Sequence, residues 1–145
     1  MNKSLVFLAQ TDTTAGLLSR DKRRLNEIKG READQKVIRA VCDLATLKTF
    51  VRVPIAHRNR VRRAKKTSFI YPNGEALRLI FGDHGSFFET IKWAYSTSAN
   101  RNKEPFDEEW ARAQADAIVT DRRGLFESAP SKMYRLGKMR AKKVR

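Results

Sequence analysis

The segment 87–100 reads FFETIKWAYSTSAN, and the rest of the chain is organised around it. Its first part carries bulky side chains at helical spacing, and Ser86 with Glu89 forms a capping-box pattern where the helix would start. Its last part, from Ser96 to Asn100, holds five small residues. We therefore expect a helix, a short strand and then a small-residue loop at the carboxyl end of that strand, the edge of an α/β sheet where ligands bind.

The small residues of this segment admit two interpretations. Hydroxyl and amide side chains let a ligand approach the backbone and offer it hydrogen-bond donors, which favours Ser96, Ser98 and Asn100 as ligand-binding residues. The same residue types also cap helices and satisfy turns. Local composition alone leaves both interpretations open.

Strands alternate with helices on either side of this segment. Asp43 is a helix-capping residue, Ser19 is another, and Gly30 is a typical helix stop. Asn73-Gly74 between two apolar runs predicts a hairpin. The pattern predicts an α/β (α+β) fold, a twisted mixed sheet with flanking helices. We expect strands at 5–9, 37–42, 67–71, 76–81, 117–119 and 131–136, and helices at 20–29, 44–51 and 106–115, with a short one after Pro54.

Two basic blocks dominate the charge of the chain. Six cations fall in residues 58–66 and five in 138–145, with no acidic residue in either block, so they carry 11 of the 15 net positive charges. Such blocks indicate a polyanionic partner, most simply RNA. A solvated loop and a solubilising tail would give the same composition. The candidate RNA-binding residues are Arg58, Arg60, Arg62, Arg63, Lys65, Lys66, Lys142 and Lys143.

The sequence also argues against several classes of protein. No apolar run approaches the roughly 20 residues that span a bilayer, and Leu5–Ala9 is shorter than a signal-peptide core. One cysteine permits neither an internal disulfide nor a cysteine-built zinc site. His84 is expected in a loop, without metal-ligand neighbours. We expect one domain over residues 1–137, a flexible basic tail over 138–145, a cytoplasmic location and no bound metal of its own.

Two cationic features suggest anion binding. Lys29-Gly30-Arg31 stands at a predicted helix end, where two cations could clamp a phosphate or simply offset the helix dipole. Arg78 lies inside an apolar strand, so it needs either an acidic partner or an anion. No nucleophile or general base is evident, so an enzyme of this sequence would act by positioning substrates and stabilising charge.

In order along the chain, six motifs resemble those of the Sua5/YrdC/YciO family. The resemblance covers residues 5–136, nearly the whole chain, and its sharpest match is the Ser-Thr-Ser-Ala-Asn segment. The matching stretches are Thr11-Asp12-Thr13 with Gly16-Leu17, Lys29-Gly30-Arg31, Thr67 with Phe69-Ile70, Ala76-Leu77-Arg78-Leu79, Ser96 to Asn100, and Pro130-Ser131.

The resemblance implies a YrdC-like fold and an L-threonylcarbamoyladenylate synthase. Such an enzyme uses ATP, L-threonine and bicarbonate with Mg²⁺, releases pyrophosphate, and works with partner proteins that modify adenosine 37 of tRNA. It implies catalytic roles for Lys29 and Arg31. By position, Thr11, Thr13 and Arg31 would line the threonine and phosphate region, and the nucleotide would be held by Lys29, Ser96, Ser98 and Asn100. Thr67, Arg78 and Ser131 would border the same cavity.

The sequence departs from the family motifs at several positions. Gln10 stands in place of a proline, Ala15 in place of a tyrosine, and Lys65-Lys66 in place of the Gly-Pro before Thr67. With the basic blocks, these departures motivate a second hypothesis, a non-catalytic module that binds tRNA or double-stranded RNA on the same fold. A ribosome-associated structural protein is a third.

Overall fold

The computed structural model describes residues 5–80 and 85–145, with the side chains of 85 and 86 left out. The predicted strand end at Phe81, the His84 loop and the Ser86 capping side chain fall outside this part. The described strands are β1 (Phe7–Gln10), β2 (Ala15–Ser19), β3 (Ile38–Val41), β4 (Thr67–Ile70), β5 (Ala76–Leu79), β6 (Trp93–Ser98), β7 (Ala117–Ile118), β8 (Lys132–Leu136) and β9 (Ala141–Lys143). The described helices are α1 (Lys22–Ile28), α2 (Leu44–Phe50), α3 (Arg58–Arg63), α4 (Gly85–Ile91) and α5 (Glu108–Gln114), with a 3₁₀ turn at Ile55–His57.

The chain divides into two compact units. The first unit comprises Met1–Val37 and Ala94–Pro130, and the second comprises Ile38–Trp93 and Ser131–Arg145. Each unit has its own mixed strand order and its own core. The prediction of an α/β chain with mixed strands and flanking helices is therefore confirmed.

In the first unit the strand order is β7-β1-β2-β6. The β1–β2 and β2–β6 pairs are antiparallel, whereas β1 and β7 run parallel. Leu8, Leu17 and Leu25 are fully buried in the core of this unit. Gly16 is required by space, because a Cβ atom there would lie 2.9 Å from Cγ2 of Thr11.

In the second unit the strand order is β3-β5-β4-β8-β9. The β3–β5 and β4–β8 pairs are parallel, and the β4–β5 and β8–β9 pairs are antiparallel. The predicted hairpin is confirmed: β4 and β5 flank residues 71–75, and Oδ1 of Asn73 accepts from the Glu75 amide at 3.0 Å. Leu47, Val61 and Leu77 lie in the core of this unit.

The helix boundaries follow the capping chemistry. Asp43 caps α2 as predicted, with Oδ1 accepting from Thr46 N at 2.7 Å. For α1 the predicted cap is wrong: Asp21 caps the helix, and Ser19 instead accepts from Asp21 N at 3.0 Å. Asp21, two residues downstream of Ser19, is the cap because its carboxylate accepts from two helix amides, those of Arg23 and Arg24. Gly30, with φ +67°, ends α1 as predicted.

Two further expectations differ from the structure. Ser96 to Ser98 lie within β6 rather than in a loop after it, because β2 supplies backbone partners along that stretch. Residues 138–145 were expected to be a flexible tail, whereas Ala141–Lys143 form β9 beside β8. Pairing with distant strands provides hydrogen bonds that local composition does not reveal.

Candidate functional site

In the first unit, Lys29 joins α1 to the end of β6. It is the C-cap residue of α1 and is buried. Its Nζ donates to the carbonyl oxygens of Ser98, at 3.0 Å, and Asn100, at 2.5 Å, with Oγ of Ser98 and Oδ1 of Asn100 within 3.4 Å. Burial, and then the nearby charge of Arg31, lower the pKa of Lys29 to about 8.

Arg31 places a second cation in the same group. Gly30 separates it from Lys29, and its Nη2 donates to Oγ1 of Thr97 at 3.1 Å. Its Nε is buried and has no hydrogen-bond partner among the described residues. Burial lowers the pKa of this guanidinium. A buried N–H donor without an acceptor is costly, so an oxygen-bearing ligand would stabilise it.

Asn100 fixes the chain where β6 ends. Its Nδ2 donates to the carbonyl oxygens of Arg101, at 2.9 Å, and Glu104, at 2.6 Å. Its backbone forms an isolated bridge with Phe106. Because the side chain is held from both sides, the carbonyl that receives Lys29 is held with it.

The 11–14 turn is built from threonine hydroxyls. Oγ1 of Thr11 donates to the Thr14 carbonyl at 2.6 Å and lies 3.2 Å from Oγ1 of Thr13. Gln10 braces this turn, because its Nε2 donates to the Thr13 carbonyl at 3.2 Å and its Oε1 accepts from Phe126 N at 2.9 Å. Thr11, Thr13 and Gln10 are all buried.

In the second unit, Ser131 is the centre of another polar group. Its Oγ lies 2.8 Å from Oγ of Ser68, and Arg145 donates to its carbonyl at 3.0 Å and to its Oγ at 3.2 Å. Arg78, opposite Ser68 in the β4–β5 register, is buried. Although Arg145 is an exposed residue, its guanidinium is partly buried, and burial followed by the charge of Arg78 lowers its pKa. Two guanidinium groups beside paired hydroxyls could accept an anion.

Thr67 does not join this group by its hydroxyl. Successive residues of a strand face opposite sides, so Thr67 and Ser68 of β4 point apart. Oγ1 of Thr67 donates to the Lys65 carbonyl at 2.8 Å. Four residues of these polar groups were not predicted as site residues from the sequence: Gln10, Ser68, Thr97 and Arg145.

This chain is similar to several solved structures in its fold. No family model and no curated protein matches the sequence. Among solved structures, P. abyssi Sua5 complexed with L-threonine superposes over 97% of this chain and 50% of its own, with a TM-score of 0.80 and 17% identity. E. coli YciO covers 97% of this chain and 82% of its own, with a TM-score of 0.69 and 18% identity. Full-length HypF in its phosphate- and nucleotide-bound form covers 97% of this chain and 26% of its own, with a TM-score of 0.74 and 13% identity.

The chain has the Sua5/YrdC/YciO-like fold. The resemblance drawn from the motifs is thereby confirmed at the level of the fold, and the chain spans about half the length of the Sua5 chain it matches. Within this fold, Lys29, Arg31, Ser98 and Asn100 come together in the first unit. In the second unit, Arg78 lies opposite Ser68, whose hydroxyl contacts Ser131. A cavity shared by these two groups, and the roles of Ser96 and Thr67, stay predictions.

The second unit of this Sua5/YrdC/YciO-like fold carries the two basic blocks. The blocks lie side by side, because the guanidinium carbon of Arg60 is 5.9 Å from the ring centre of Tyr134, and Tyr134 pairs with Lys143 in the β8–β9 hairpin. Nε2 of His57 lies 3.1 Å from the Gly137 carbonyl, which ties the start of α3 to the hairpin turn. All eight predicted RNA-binding residues are exposed: Arg58, Arg60, Arg62, Arg63, Lys65, Lys66, Lys142 and Lys143.

Membrane-spanning helices and metal-ligand clusters are both absent from the described part of the chain. Over residues 5–80 and 85–145, no helix has the length and apolar character to cross a membrane. The same residues include no group of three histidine, cysteine or acidic side chains placed to hold a metal ion.

Proposed function

We propose that this chain is an L-threonylcarbamoyladenylate synthase-like protein. Its substrates would be ATP, L-threonine and bicarbonate, and its product would be passed to adenosine 37 of tRNA by partner proteins of the modification pathway. The observation that carries the proposal is the first-unit group. It holds two cations, Lys29 and Arg31, whose contacts among the described residues are neutral oxygens.

The chemistry requires these cations more than it requires a nucleophile. Carboxylation of the threonine amine gives a carbamate, whose oxygen attacks the α-phosphorus of ATP, and the bond to pyrophosphate breaks. The triphosphate is strongly anionic, so Lys29 and Arg31 would position it and offset the charge that builds up on the phosphates. The unpaired Nε of Arg31 would then donate to a phosphate or carboxylate oxygen.

Magnesium would enter this site with the nucleotide. The described residues offer no cluster of three metal ligands, and Mg²⁺ is commonly held through substrate phosphates and water. Thr11, Thr13, Ser96, Ser98 and Asn100 would supply the polar lining of the threonine and nucleotide regions. In the second unit, the residues proposed to bind substrate are Thr67, Arg78 and Ser131.

Two solved structures support the ligand classes. The Sua5 structure is complexed with L-threonine, and the HypF structure is bound to phosphate and nucleotide. Both are related to this chain through the fold, so they support the proposal by analogy.

The test is direct formation of the adenylate. The purified protein is incubated with ATP, radiolabelled bicarbonate, L-threonine and Mg²⁺, with a parallel sample that lacks threonine. We expect labelled threonylcarbamoyl-AMP and pyrophosphate in the complete mixture alone. Absence of both products from protein that is folded by circular dichroism would overturn the synthase proposal.

A second candidate function is binding of tRNA or double-stranded RNA without catalysis. The adjacent basic blocks favour it, since phosphate contacts by Lys and Arg supply most of the sequence-independent affinity for nucleic acids. For this function we expect an RNA affinity that falls steeply as the salt concentration rises, in a protein that forms no adenylate. Salt-independent affinity would exclude it.

A further inference from the structure

A cleft in the second unit lies between the end of α2, the start of α3 and the β4–β5 turn. Its volume is about 540 Å³, within the range of roughly 300–1,000 Å³ that is typical of small-molecule sites. Lys48, Arg52 and Arg58 line it together with Phe50 and Asn73. None of these residues belongs to the Lys29 group or to the Ser131 group.

The walls of the cleft are fixed by contacts behind them. Asn73 Nδ2 donates to the Phe50 carbonyl at 3.3 Å, which ties the hairpin turn to the end of α2. Val51 and Val53 are buried on either side of exposed Arg52, so the segment that carries Arg52 is held by the core. The backbone that carries Phe50 and Arg52 is therefore held in place, and the cleft beside it is open to solvent.

The charge of the cleft is of one sign. No aspartate or glutamate is among its lining residues. Lys48, Arg52 and Arg58 form no ion pair with any carboxylate in the part of the chain that the structure describes. Three cations around one depression repel each other, and an anion between them would relieve that repulsion.

An aromatic ring lies beside the cations. Phe50 lines the cleft and is half-buried, and the guanidinium of Arg39, whose carbon is 4.0 Å from the ring centre, covers one face of the ring. The ring of Trp93 meets it edge-on, with the ring centres 5.1 Å apart. An aromatic surface next to cations is the combination that binds a base and its phosphate.

We propose that this cleft is a separate binding site for a nucleoside phosphate. Lys48, Arg52 and Arg58 would hold the phosphate, and Phe50 would contact the base. The ligand could be a free nucleotide or one nucleotide of an RNA strand, because Arg58 also begins the basic stretch of α3. The proposal does not depend on adenylate formation and involves none of the residues assigned to it.

Trp93 provides a local readout of this cleft through its contact with Phe50. The experiment uses the full chain with Trp110→Phe, which leaves Trp93 as the only tryptophan. AMP, inorganic phosphate and an eight-nucleotide single-stranded RNA are titrated separately while Trp93 fluorescence is followed. We expect saturable binding of AMP or of the RNA, weakened at least tenfold by Lys48→Ala/Arg52→Ala.

The control removes the same charge elsewhere in the second unit, with Lys132→Ala/Arg135→Ala, two exposed residues of β8 that lie outside both basic blocks. This variant should bind AMP as the Trp110→Phe protein does. If AMP binds and Lys48→Ala/Arg52→Ala weakens that binding, the cleft is a site for a free nucleotide. If only the RNA binds, and the same variant weakens its binding, the ligand is a nucleotide of an RNA strand. No saturable signal, or equal loss in the two double variants while both keep the parent's melting temperature, would overturn the proposal.

Discussion

The two units differ in charge far more than in architecture. Both hold mixed strands over a hydrophobic core, yet the first unit has 13 basic and 12 acidic residues, a net +1, and the second has 18 and four, a net +14. In the first unit two cations contact β6, Lys29, which is buried, and Arg31, which is half-buried. In the second they are exposed and crowded. The proposed functions would use this difference, with the first unit holding a small anion at a defined place and the second attracting a large one.

The largest expected effect tests the first unit. Arg31→Ala removes the half-buried guanidinium and should lower adenylate formation about 100-fold or more, the cost of losing one preorganised charge donor. Arg112→Ala is the matched control, because Arg112 is an exposed arginine of the same unit that pairs with Glu108. The control should retain full activity. Equal turnover by the two variants would remove Arg31 from the site.

The next effect tests the second unit. Lys142→Ala/Lys143→Ala should weaken RNA binding and reduce the slope of log K against log salt by about 1.4–1.8, two phosphate contacts at roughly 0.7–0.9 each. Lys22→Ala/Arg23→Ala makes the same charge change in the first unit and should leave the slope unchanged. Fluorescence anisotropy from about 50 to 200 mM salt measures both. A matching loss in the two variants would show that net charge alone drives binding.

The pH dependence of nucleotide binding should reveal Lys29. Its pKa is lowered from 10.5 to about 8, so the folded state disfavours the charged form of Lys29. Below pH 8 this cost reduces the stability of the fold in full. As pH rises from 8 toward 10.5, Lys29 loses its proton in the folded state and the cost disappears. A bound phosphate favours the charged form and would raise the pKa again. Affinity for ATP should therefore fall above pH 8, by up to tenfold per pH unit.

Lys29→Arg is the control for this profile, since arginine stays charged throughout that range. Isothermal calorimetry at pH 7.5 and 9.5 compares the two proteins. The wild-type protein should lose affinity between the two pH values and the variant should not. A parallel loss in both would assign the pH dependence to another group.

The smallest effect compares one helix cap from each unit. Asp21 caps α1 and Asp43 caps α2. Asparagine keeps the cap but removes the charge, so Asp21→Asn should change the free energy of unfolding by only a few tenths of a kcal/mol. Asp43→Asn should cost more, up to about 1 kcal/mol, because it removes a carboxylate from the basic unit. Urea unfolding at low salt measures the difference between the two variants. Equal losses in the free energy of unfolding would show that the positive field of the second unit does not act on the Asp43 cap.

Local sequence patterns predicted the elements that local chemistry controls. Asp43, Gly30 and the Asn73-Gly74 turn each act within a few residues of their own position, and each was correctly interpreted. Ser96 to Ser98 were misassigned to a loop because their strand depends on β2, far away in the chain. Small polar composition cannot report a partner strand.

The candidate site was predictable only where a motif names the residue that makes the contact. Lys29, Ser98 and Asn100 were nominated and do meet. Thr67 was nominated, but its neighbour Ser68 contacts Ser131, because a strand alternates its faces. Gln10 occupies a position where the family has proline, and its role as a brace rests on contacts with Thr13 and Phe126 that no local pattern indicates.

The close approach at Gly16 links two positions of the chain genetically. The atom that a new Cβ would meet first is Cγ2 of Thr11, at 2.9 Å, while the next contact, the Thr97 carbonyl, is at an ordinary 3.5 Å. Serine lacks that methyl group but keeps the hydroxyl that closes the turn. Gly16→Ala should therefore be harmful alone and tolerated together with Thr11→Ser. Among descendants of this sequence, these two positions should drift as a pair, with the change at position 11 coming first.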